Sequence, residues 1–184
     1  WNELKRWYFD SNPMFDAVMF RRRFRMRPTL WDKLCREIAA ANEFFRSKVD
    51  AIGKMGFHGG HKYVVAMRML AYGSIADSLD DGYAMAESTV LRCVREFTRT
   101  ILQLYETEYL RPPTEIELAL IRAENEARGF PGMIGSIDCM HWEWRGCPVA
   151  QHGQYQNRKG RPSMILEAVA TKDLRVWHAF FGMP

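Results

Sequence analysis

One acid and three groups of basic residues stand out for the chemistry that their types and spacing permit. Asp138 lies in Gly135-Ser136-Ile137-Asp138-Cys139-Met140-His141, where strand alternation sends Ile137 and Cys139 to one face and Ser136, Asp138 and Met140 to the other. A carboxylate on an otherwise apolar strand is costly to bury unless it is paired, hydrogen-bonded or bound to a metal. Asp138 is therefore a candidate catalytic and metal-ligating residue, against the plainer reading of a satisfied turn or cap acid. Arg21, Arg22, Arg23, Arg25 and Arg27 are interleaved with Phe20, Phe24 and Met26. Such a run can neutralise phosphates and release counterions while its apolar neighbours anchor it. It can equally be a solvated face or an interdomain ion-pair partner.

The second basic group is Arg92, Arg95 and Arg99, at i, i+3 and i+7, just after Thr89 on a long helical pattern. They form a stripe away from the apolar Val90, Val94 and Phe97. The third is Arg158, Lys159 and Arg161, inside the polar loop Gly146 to Pro162. His141 reads as a packing or hydrogen-bonding histidine and Asp173 as a hairpin-turn residue, while Trp142 and Trp144 are expected to pack on a neighbouring helix.

The elements that must position these groups change character near Pro131. Before it the apolar period is helical: from Pro28 through Ile38, from His61 to Ala71 with Gly73 as a stop, and for five turns from about Met85 through Leu104. Glu43 to Gly60, with four glycines, reads as a loop. Thr114 and Glu117 have capping-box spacing at the head of a helix that Gly129 and Pro131 end. Ile75 to Arg99 has helix-turn-helix spacing, with a break at Gly82 and a tight turn expected over Gly82 to Ala84; two packed helices with a solvated arginine face would look the same. After Pro131, the segments Met133 to Arg145, Met164 to Thr171 and Arg175 to Met183 alternate as strands, the last two joined by a turn at Lys172 and Asp173. The expected fold class is α+β: a helical region over residues 1–130, then an antiparallel three-stranded segment over 131–184.

Composition bounds what these elements can make. With 47% hydrophobic and 26% charged residues the chain is neither disordered nor collagen-like. No apolar run approaches the roughly 18 residues of a bilayer span, so no membrane partner is expected. The net charge of +4 permits nucleic-acid binding without demanding it. Cys35, Cys93, Cys139 and Cys147 lie far apart without CxxC spacing, which argues against zinc and disulfides and for reduced, intracellular thiols. The chain starts at Trp1, so it is expected to begin inside a longer product or to have been trimmed.

An ordered set of segments carries a resemblance beyond these patterns. FRRRFRM (Phe20 to Met26), RMLAYG (Arg68 to Gly73), AEST (Ala86 to Thr89), EYLRPPT (Glu108 to Thr114), EARGFPGMIGSIDCMHWEWRGCP (Glu126 to Pro148), GQYQ (Gly153 to Gln156) and ILEAVATKDLRVWHAFFGMP (Ile165 to Pro184) resemble the plant branch of the PIF/Harbinger transposases. Harbinger-derived nuclease-like proteins are part of the same family. The resemblance implies a helical DNA-binding region before an RNase H-like domain, in which three acids hold two divalent ions, Mg2+ or Mn2+, for phosphodiester attack. Asp138 matches the first acid. Neither Glu143 nor Asp173 matches another, so the chain is expected to stop before the second acid and to be inactive alone. The resemblance also implies a nuclear location, DNA as partner and a separate Myb-like protein that aids target recognition. A domesticated, non-catalytic DNA- or protein-binding role is the alternative. The missing later strand would leave a sheet edge uncovered, from which poor solubility or self-association is expected.

Overall fold

The computed structural model describes residues 1–49 and 52–184 and has the expected α+β architecture. The chain divides into two compact units, Trp1–Leu104 and Tyr105–Pro184. The first unit is helical. A short helix α1 (Asn2–Leu4) runs into a π-helical turn at Lys5–Phe9, followed by α2 (Ala17–Phe24), α3 (Pro28–Ala41), α4 (Gly59–Tyr72) and α5 (Asp80–Tyr83). The long α6 (Glu87–Tyr109) spans the division.

Local signals account for the boundaries of these helices. Asp16 caps α2 by accepting the Met19 N–H at 2.8 Å, and Pro28 opens α3, where its missing N–H costs nothing. His58 caps α4 through Gly60 N–H, and Gly73 ends it in the left-handed region at φ 62°. Glycine is required at Gly59, because a Cβ there would overlap the Phe45 carbonyl oxygen. The core of the unit is aromatic: Phe24, Trp31, Phe45, Tyr63 and Phe97 are buried, and Tyr63 stacks on Phe45 at 4.6 Å. Each such ring removes about 150–250 Å² from water, so burial of these side chains dominates the packing energy of the unit.

Two expectations in this unit change. The presumed loop Glu43–Gly60 contains a 3-10 turn at Glu43–Phe45 and an isolated bridge between Val49 and Met55; Asp50 and Ala51 lie outside the described residues. The tight turn expected at Gly82 to Ala84 is centred on Ala84, which takes a left-handed conformation at φ 47°, while Gly82, read as the break, stays within α5. The neighbouring Met85 explains the shift. Its side chain is fully buried beside the Cys93 sulfur at 3.8 Å, and that burial holds the preceding residue in the costly region.

The second unit places α7 (Glu115–Ala127) with an antiparallel sheet of β1 (Ser136–Glu143), β2 (Ser163–Ala170) and β3 (Val176–Gly182) in the order β1-β2-β3. Thr114 and Glu117 form the expected capping box. The β2–β3 hairpin turns through Thr171–Arg175, where Asp173 accepts the Arg175 N–H at 3.2 Å, its expected turn role. Between β1 and β2 lie a 3-10 turn (Val149–Gln151) and the short α8 (His152–Tyr155). Trp144 packs edge-on against Tyr155 of α8 at 5.0 Å, but Trp142 lies near Phe181 of β3 rather than on a helix. Cross-strand pairing puts these two rings on one face of the sheet, which is why the helix partner is replaced.

Candidate functional site

Asp138 sits in the middle of β1, opposite Ala168 of β2, which in turn faces Ala179 of β3. Small residues at this register position on β2 and, beyond it, on β3 leave the carboxylate unobstructed. All eight residues of β1 are exposed, Asp138 among them, so the desolvation argument that singled it out does not apply in this structure. Its Oδ1 accepts the Cys139 N–H at 2.9 Å, a local contact that orients the side chain without neutralising it. Met140, Trp142, Leu166 and Phe181 share this face by register and are exposed.

The opposite face carries a polar line. The Cys139 thiol donates to Glu167 at 3.5 Å, Glu167 pairs with His178 at 3.1 Å, and His141 Nδ1 lies 3.1 Å from the Ser163 hydroxyl. Among the described residues no group of three or more His, Cys, Asp or Glu is placed to hold a metal ion. One carboxylate supplies one or two of the six oxygen ligands of Mg2+, so the residues present do not make a metal centre by themselves.

The basic groups separate by environment. Arg21, Arg22, Arg25 and Arg27 are exposed and line a single open cavity of about 1100 Å³ at the junction of α2 and α3. Arg23 does not line it; half-buried, it has an Nε without a hydrogen-bond partner. Arg92, Arg95 and Arg99 are exposed along α6 while Val90 and Phe97 are buried, as the stripe predicted, and Thr89 is half-buried. Arg92 stacks on Phe44 at 4.9 Å. The expected helix before the turn is reduced to a 3-10 turn at Asp77–Leu79 plus the four residues of α5. Arg158, Lys159 and Arg161 are exposed, but Arg161 is tied to Glu143 at 3.1 Å, and Asn157 holds the loop by accepting the Lys159 and Arg161 N–H groups.

Pattern reading missed a network that fixes the second unit. Arg111 makes a two-pronged contact with Glu117 at 2.7 and 2.8 Å, and Glu117 also approaches Arg175 at 3.8 Å. The Arg175 guanidinium lies 3.8 Å over the Trp177 ring and donates to the Glu108 carbonyl. The Arg111 hydrogen bonds, then the Thr114 N–H, hold the Glu117 carboxyl far below its ordinary range. The signal for this network was present in the Arg111-Pro-Pro-Thr114 segment, but the partners Arg175 in the hairpin turn and Trp177 on β3 are tertiary.

Residues 107–184 match the family described as plant transposon protein, and residues 2–39 match a domain of unknown function, DUF8418. Among curated proteins the chain is similar to "Putative nuclease HARBI1" of Bos taurus, 28% identical over 102 residues, which is 55% of this chain and 29% of that protein. The Rattus norvegicus protein of the same name is 27% identical over 104 residues and the Homo sapiens one 26% over 103, with the same coverage of both chains. The chain thus spans about 29% of the length of the relatives it matches. No solved structure matches. The matched segment has Asp138 on its first strand, and this match and the likeness to these proteins both point to similarity with Harbinger-type, transposase-related proteins.

Proposed function

We propose that the chain is the DNA-handling portion of a transposase-type endonuclease, with a DNA-binding region over residues 1–130 and the start of an RNase H-like catalytic domain over 131–184. Asp138 is then one carboxylate of a divalent-metal centre, for Mg2+ or Mn2+, whose other ligands come from outside these residues. The observation that carries this reading is the place of Asp138: accessible, opposite an alanine of β2, and on the first strand of the segment that matches the transposon family. When bound, a metal pair would activate the attacking oxygen and stabilise the leaving one. The protein's contribution from this chain is a single fixed carboxylate. The DNA-facing groups are Arg21, Arg22, Arg25 and Arg27 together with Arg92, Arg95 and Arg99 on a helix-turn-helix-like segment. A nuclear location and a Myb-like partner accompany this reading, and so does self-association through the free edge of β1.

The exposed, solitary Asp138 also favours a second reading, a non-catalytic DNA- or protein-binding protein of the same descent. Two assays separate these possibilities. The 184-residue chain should not nick supercoiled plasmid with Mg2+ or Mn2+; metal-stimulated nicking that Asp138→Ala abolishes would show that the chain holds a complete centre. It should shift duplex DNA, and the affinity should fall steeply between about 50 and 200 mM salt because phosphate contacts release counterions. Absence of any shift at the lower salt would leave only the protein-partner role.

A further inference from the structure

We propose that the cavity at the α2–α3 junction is a phosphate-binding seat, and that its ligand is the sugar-phosphate backbone of nucleic acid. This assigns a ligand class to a surface that lies within the matched domain of unknown function, and it rests on the DNA-binding reading above. Four arginines line the cavity from two helices and the connection between them: Arg21 and Arg22 from the last turn of α2, Arg25 from its C-cap and Arg27 from the N-cap of α3. The cavity lining contains no carboxylate, and none of the four arginines forms an ion pair among the described residues.

The backbone adds donors to the same place. Arg27 occupies the N-cap of α3 but has no side-chain acceptor to offer, and Pro28 lacks an N–H. The first amides of the fourteen-residue helix are therefore those of Thr29 and Leu30, and Thr29 lines the cavity. Uncapped amides at the positive end of a helix favour an anion, and planar guanidinium forks favour its oxygens. Arg25 is stacked 5.4 Å over Tyr72, whose hydroxyl donates to the Arg22 carbonyl. Such a seat reads charge and shape rather than base sequence.

The arginines also complement the negative end of α2, a purely structural role that predicts lost stability but no ligand. Arg25→Gly separates the two, because Arg25 is left-handed at φ 58°, a conformation that glycine adopts without strain. The test is an NMR titration of the full chain with inorganic phosphate and, separately, with a duplex of arbitrary sequence. Both probes should shift the Thr29 and Leu30 amides and the Nε–H signals of Arg21, Arg22, Arg25 and Arg27. Arg25→Gly should stay folded and weaken phosphate binding about ten-fold, as expected for loss of one charge-assisted contact. Arg21→Gln with Arg27→Gln should lower the salt slope of duplex binding by about two.

A duplex that shifts α6 amides but leaves the cavity signals unmoved would overturn the seat while leaving DNA binding intact. Phosphate that shifts the cavity signals without any duplex binding would support the seat and refute the DNA reading. Silence with both probes would overturn the proposal.

Discussion

Ala84 shows how a single residue records a conflict between local and tertiary preference. A left-handed alanine costs on the order of 1–2 kcal/mol, and a glycine stands two positions earlier, yet the chain turns at Ala84. Burial of Met85 and Val90 fixes where the turn must fall. Ala84→Gly should therefore stabilise the protein by about 1 kcal/mol, seen as a raised urea midpoint with unchanged slope; a lowered midpoint would mean that the alanine methyl packs usefully. Asp138 teaches the converse. The alternation that put it on one face with Ser136 and Met140 was legible in sequence, but the inference of burial was not, because a strand's pattern says which residues share a face and not whether that face is covered.

At the scale of elements, α7 is the best specified. Its capping box was readable from Thr114 and Glu117 alone, yet the same Glu117 also anchors Arg111 and meets Arg175 on the sheet hairpin. Because its folded carboxyl titrates far below the ordinary 4.5, its contribution is fully present above about pH 4.5 and is lost as the pH falls through the folded value. The thermal midpoint of the wild type should thus drop on going from neutral pH to about pH 3, and Glu117→Gln should be less stable at neutral pH with a shallower acid dependence. Equal slopes in the two proteins would place the acid sensitivity elsewhere. The helix-turn-helix expectation is met only in its second helix. The long α6 and its exposed arginines appear as expected, whereas the preceding helix shrinks to α5 and a 3-10 turn, since the spacing of Ile75 to Asp80 is too short to define a helical period.

For the molecule as a whole, the sheet has β1 and β3 at its edges, and β1 is eight exposed residues long without a proline or lysine to block pairing. Such an edge templates further strands. The isolated chain should self-associate at micromolar concentration, measured by light scattering; a Met140→Lys variant, placing charge on that strand, should be more monomeric. A sharp monomer peak for the wild type would remove the edge from consideration. The order of helices and strands, the capping box and the basic character of Arg21 to Arg27 follow from the sequence by itself, because period, caps and charge are local properties. Only the tertiary structure decided that four of those five arginines share one cavity with the uncapped start of α3 while Arg23 turns away, and that Asp138 is exposed beside small residues. Convergence and accessibility depend on which surfaces meet, and that is set by packing between elements distant in sequence.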